Sequence, residues 1–164
     1  PALAGERLCS DELQVVCAPG HPLARRRSVA AGALVEHAYL SRELGSGTRE
    51  VTDHYLKRAG IEPGMLNVVM EASSPEALKG LVAAGMGFAI MSHLSVLKEV
   101  RLGLLVSIPL SPPITRQLTV VYPRERIQSG IVGAFVQFAR RRLDAPPGEE
   151  TDGRVLALGA RRGP

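Results

Sequence analysis

Apolar residues fall into short blocks separated by proline, glycine and charge, and the spacing inside each block predicts its conformation. Residues 11–18 (DELQVVCA) read as a strand entering a core. Pro19-Gly20-His21-Pro22 turns the chain, and Ser28 predicts a cap for a short helix from Ala30 to Glu36. A strand at 38–41 follows, then Val51, Tyr55, Leu56 and Ala59 at helical spacing. Gly60 suits the position after a helix and Pro63 blocks its continuation. Residues 67–72 (NVVMEA) predict a strand. Ser74-Pro75 opens a helix with the stripe Leu78, Leu81, Val82, ending at Gly85. Residues 87–91 (GFAIM) are wholly apolar, as in a strand covered on both faces. A helix over about 93–100 and a strand at 104–108 come next, and Pro109 to Pro113 predicts a break. A strand at 118–122 precedes a helix over about 129–143, with Val132, Phe135, Val136, Ala139 and Leu143 on one face. The Pro-, Gly- and charge-rich stretch 144–164 is predicted to be a disordered tail.

Strands alternating with helices predict an α/β fold with a mainly parallel sheet and helices on both faces. Such sheets bind ligands beyond the carboxyl ends of their strands. Two such ends stand out. One is the turn Ser41 to Glu50 (SRELGSGTRE), between a strand and a helix; the other is Met91-Ser92-His93. Glycine lets backbone N–H groups approach a ligand, and the first N–H groups of a helix have no intrahelical partner. Ser46, Gly47 and Thr48, near Met91 and Ser92, therefore form a candidate cradle for a small anion, with Arg42 or Arg49 as a clamp. The competing reading is that Ser46 only caps the helix and Arg49 pairs with Asp53. No Gly-Lys-Ser or Gly-Lys-Thr ends the turn, which excludes a Walker phosphate loop.

The 164 residues suffice for one domain or two small subdomains, and with only three Tyr, three Phe and no Trp the core is aliphatic. The net charge of +4 is concentrated in Arg25–Arg27, Arg140–Arg142 and Arg161-Arg162, which read as solvated surface. Between Cys9 and Cys17 an extended chain spans roughly 25 Å, far beyond disulfide reach. Two free thiols fit a reducing cytoplasm. No apolar run has the length of a membrane span. His21, His37, His54 and His93 lack metal spacing, Ser46 is in no Gly-x-Ser-x-Gly elbow, and Glu71 and Glu76 have no matched partner. No catalytic residue, metal or cofactor is expected, and the chain does not read as an enzyme.

Several motifs together carry a family resemblance. They are Pro19-Gly20-His21-Pro22-Leu23, the turn from Arg42 to Arg49, the run Ser74 to Lys79, the stretch Val82 to Met91, and Leu102 to Val106 followed by Ile114 to Leu118. In order and spacing this pattern resembles the effector-binding domain of LysR-type transcriptional regulators. The resemblance implies a type II periplasmic-binding-protein-like fold: two α/β subdomains, a two-strand hinge and a ligand cleft between them. On that template 1–18 are a remnant of subdomain I and the first hinge strand, 19–114 are subdomain II, and 115–143 are the second hinge strand and the return to subdomain I. The first subdomain would then be incomplete and the chain N-terminally truncated. The implied partners are a small-molecule effector, further copies in a dimer or tetramer (with helix 74–84 as a candidate surface), and DNA only through an N-terminal helix-turn-helix outside this chain. No membrane is involved. A solute-binding protein of the same fold and a ligand-free dimerisation fragment are the alternatives.

Overall fold

The computed structural model describes residues 3–123 and 130–144. Residues 145–164 of the expected tail, with Arg161-Arg162, lie outside them. The chain divides into two compact units. One is Ser10–Leu118; the other joins Pro1–Cys9 to Thr119–Pro164.

The elements follow in the order β1 (Leu3–Cys17), β2 (Val29–Ala30), β3 (Ala38–Arg42), α1 (Gly47–Arg58), β4 (Asn67–Ala72), α2 (Pro75–Ala83), β5 (Ala89–Ser92), α3 (His93–Arg101), β6 (Val106–Pro123) and α4 (Gly130–Asp144). One sheet has the order β2-β6-β1-β5, and β3 pairs with β4. The pairs β2–β6 and β3–β4 are parallel, as is the single bridge Tyr39–Phe88, whereas β1 runs antiparallel to β5 with Val15 opposite Ile90.

Alternation along the strands of the larger unit sorts side chains into two cores. Leu13, Val15, Cys17, Tyr39, Phe88 and Ile90 enter one, beneath Leu56 of α1. Val16, Leu40, Ala89 and Met91 enter the other, against Leu78 and Val82 of α2 and Val96 of α3. Helices thus cover both faces, which is why β5 is apolar at every core position. The apolar stripe of α2 faces this second core. Three helices end alike. At α1, Gly60 N–H reaches the Lys57 carbonyl and Ile61 N–H the Leu56 carbonyl; Gly85 and Gly103 do the same for α2 and α3. Gly87 answers a different demand. A Cβ there would lie 2.3 Å from the Ala38 carbonyl oxygen, at a φ of +156°, where Phe88 N–H bonds that same oxygen at 2.9 Å.

Three expected elements differ. The strand expected over 11–18 begins at Leu3 and ends at Cys17. The helix over 30–36 is instead β2 and a 3-10 turn at Ala31–Leu34, with Ala30 rather than Ser28 at its N-cap. Val29 is fully buried and pairs with Leu110, which draws 29–30 into the sheet and leaves too few residues for an α-helix. The break expected at Pro109 to Pro113 is absent, because β6 continues through it to Pro123. An extended φ suits proline, and only its missing N–H excludes it from a ladder. Pro112 and Pro113 are exposed. On α4, Val136 is buried while Phe135 is 60% exposed. Arg25 to Arg27 are exposed, as expected, and both cysteines are free thiols. Burial pushes the Cys17 thiol up to about 11.

Candidate functional site

Arg42 ends β3, Ser46 N–H bonds the Glu43 carbonyl at 3.2 Å to close the turn, and Glu50 N–H bonds the Ser46 carbonyl at 3.0 Å as the first helical link of α1. Ser46 is therefore the N-cap residue, but its side chain makes no capping bond. The side chain is nonetheless buried. Neither Ser46 nor Gly47 lines the small cavity that opens beside this turn.

That cavity, of about 120 Å³, lies wholly within the larger unit. Its lining comes from the first turn or so of three helices: Thr48 of α1, Pro75 and Leu78 of α2, and Ser95 of α3 with its N-cap Ser92. Each helix brings unsatisfied N–H groups and the positive end of its dipole, worth typically ~0.3–1 kcal/mol toward a nearby anion. Arg42, Ile90, Met91 and Arg116 complete the wall.

A polar network joins four distant positions. Asp11 on β1, 1% exposed, accepts from Ser92 Oγ at 2.6 Å and from Arg116 Nε at 2.8 Å. Arg116 Nη1 in turn donates to Thr48 Oγ1 at 3.1 Å. A buried carboxylate is expensive unless paired and hydrogen-bonded, and Asp11 is both. It fixes the direction of Arg116, which lines the cavity. The Ser92 hydroxyl is directed to Asp11 rather than to a cap, so α3 starts without a side-chain cap.

The two arginines of the turn are committed locally. Arg42 forks onto Glu43 at 2.8 and 2.9 Å, and these bonds hold the Glu43 carboxyl below the usual carboxylate range. Arg49 donates to the Arg42 carbonyl at 2.8 Å and to Glu71 at 2.7 Å, with Asp53 at 3.6 Å, and the Glu71 bond raises its pKa. Arg49 is not in the cavity wall. Glu71 and Glu76, without a matched partner in the sequence, pair with Arg49 and Lys79. Among the described residues no cluster of His, Cys, Asp and Glu has the makings of a metal site.

A family model described as LysR substrate binding domain matches residues 1–144. The chain belongs to that family. A probable RuBisCO transcriptional regulator of Cyanidioschyzon merolae is 32% identical over 84% of this chain and 46% of its own length. The regulator CbbR of Cereibacter sphaeroides is 35% identical over 77% of this chain and 40% of its own length. The LysR domain thus spans less than half of these relatives. Among solved structures, the Synechocystis PCC6803 CcmR regulatory domain in complex with 2-PG superimposes with a TM-score of 0.74 at 26% identity, covering 87% of this chain and 67% of that one. The effector-binding domain of QuiR, solved with shikimate, has a TM-score of 0.70 at 24% identity, a likeness of fold. A mixed α/β, periplasmic-binding-protein-like architecture is common to all of them.

Of the seven sequence-level candidates in this LysR domain, Arg42, Thr48, Met91 and Ser92 meet in one cavity, whereas Ser46, Gly47 and Arg49 stand beside it. Sequence reasoning missed Asp11 and Arg116. Both sit on the strands that the family template assigns to the hinge, and that placement was the available signal. Nothing in the spacing of residues 105 apart announces an ion pair. No helix among the described residues is long and apolar enough to cross a membrane.

Proposed function

We propose that this domain senses a small anionic effector on behalf of a transcriptional regulator, binding it in the cavity walled by Thr48, Ser92 and Arg116. The convergence of three helix starts on one cavity carries the reading, because it presents positive potential there, while Asp11 and Glu43 beside the wall are already paired with Arg116 and Arg42. A volume of about 120 Å³ suits a ligand of a few non-hydrogen atoms, given roughly 30 Å³ per water in the liquid. The CcmR regulatory domain, similar in fold, was solved in complex with 2-PG, which supports a small-molecule effector by likeness. Relatives named as RuBisCO regulators support a gene-regulatory role. DNA contact by such a regulator falls to a helix-turn-helix outside the described residues, and its setting is the cytoplasm. Non-enzymatic sensing, not turnover, is the activity.

Self-association as a dimer or tetramer belongs to the same reading. Its support is β4, where Val68, Val69 and Met70 are 39–45% exposed on a strand with one unpaired edge.

Calorimetry with 2-PG and with inorganic phosphate tests the site. Thr48→Val keeps the side-chain shape and removes the hydroxyl that Arg116 grips. It is expected to weaken binding about tenfold or more, the scale of one charge-assisted hydrogen bond, with the melting temperature of the free domain nearly unchanged. Equal affinity of wild type and Thr48→Val removes Thr48 from the site. Failure of both anions to bind wild type defeats the reading.

A further inference from the structure

A second cavity lies along the middle and last turns of α1, and the effector reading makes no use of it. It measures about 530 Å³, within the roughly 300–1,000 Å³ of small-molecule sites. One wall is α1, through Val51, His54, Tyr55 and Arg58. The other is the 112–115 segment of β6, including Ile114 and Thr115.

The wall is amphipathic. Ile114 belongs to the core beneath α1, and Val51 and Tyr55 pack against that core, so the floor is apolar. The rim carries His54 and Arg58, one helical turn apart on the same face and both exposed. Neither pairs with a carboxylate among the described residues. That distinguishes Arg58 from Arg42, Arg49 and Arg116, which all have carboxylate partners. The helix C-terminus would oppose an anion, but its last carbonyls already accept from the N–H groups of Ala59, Gly60 and Ile61. The Tyr55 hydroxyl oxygen is buried and has no hydrogen-bond partner among the described residues. Burial raises the pKa of this phenol, so at neutral pH it keeps its proton and is a donor. That oxygen is closed to solvent, so Tyr55 contributes its ring rather than its hydroxyl to the cavity wall.

We propose that the cavity between α1 and residues 112–115 is a second ligand site, which takes a small aromatic or alicyclic monocarboxylate with its ring on Val51 and Ile114 and its carboxylate on Arg58. A single unpaired guanidinium matches one negative charge. The same charge excludes organic cations, and the apolar floor disfavours free sugars and inorganic ions.

The chain contains no Trp, so the fluorescence of 2-naphthoate is read without indole background. Titration of the full chain with 2-naphthoate is expected to saturate, and amide NMR shifts are expected to gather at 51–59 and 114–115, residues 112 and 113 being prolines without an N–H. Arg58→Glu is expected to weaken binding about tenfold or more, the scale of one charge-assisted contact. The neutral analogue 2-naphthalenemethanol is expected to bind wild type as poorly, while Arg58→Lys retains most of the affinity. Arg58 is exposed and unpaired, so these variants keep the fold, which circular dichroism checks. Shifts gathering instead at Thr48, Ser92 and Arg116, a titration that does not saturate, or equal affinity of Arg58→Glu and wild type would each overturn the proposal.

Discussion

His21 shows how much one side chain can couple. Its Nδ1 accepts the Leu23 N–H at 3.2 Å and so caps the 3-10 turn Pro22–Arg25. That bond needs Nδ1 unprotonated, with the ring proton on Nε2. The ring also lies edge-on to His37, at 5.0 Å between centroids. Burial first, and then the charge of His37, lowers the His21 pKa below 6.5. The unfolded chain therefore takes up the proton at a higher pH than the folded chain. The contribution is present above pH 6.5 and is lost as the pH falls through the lower, folded value. Urea midpoints are expected to fall from about pH 7 to about pH 5, and His21→Gln to reduce that fall. An unchanged pH dependence in His21→Gln would show that other groups carry it. Asp11 and Arg116 work differently at the same scale: their pairing holds a shape, and the cavity wall depends on it.

At the scale of elements, two serines in the same position play different parts. Ser74 caps α2, accepting from Ala77 N–H at 3.3 Å, whereas Ser46 at the start of α1 makes no such bond. Ser74→Ala is expected to destabilise by ~1 kcal/mol, as N-cap losses do. Ser46→Ala is expected to change the melting temperature much less, and differential scanning calorimetry compares the two. The β3–β5 crossing depends on a residue without a side chain. Gly87→Ala meets the Ala38 carbonyl and a φ that L-residues avoid, with an expected loss of ~2 kcal/mol or more, measured by chemical denaturation. Stability close to wild type would mean that β3 and residue 87 separate at little cost.

The whole molecule divides its apolar surface unevenly. The larger unit has a double core, while Val68, Val69 and Met70 on β4 and Ile131, Phe135 and Phe138 on α4 remain exposed. Exposed apolar area of this extent favours association, so light scattering is expected to find dimers or larger species, and Val69→Lys to shift them toward monomer. A monomer at all concentrations would count against self-association. Period and punctuation in the sequence were enough for β3, β4, β5, α1, α2, α3 and α4, because each is a local matter of spacing, caps and glycine ends. They also sufficed to place Arg42, Met91 and Ser92 at strand ends and Thr48 at a helix start, and the motif order to name the family. The tertiary structure alone decided that β6 runs on through Pro109–Pro113, that Val29 joins the sheet, and that Arg49 turns to Glu71. It also brought Arg116 to Asp11 and Thr48. Those outcomes depend on what lies across the sheet from each residue, and proximity between positions far apart in the chain is created by packing, to which no local pattern refers.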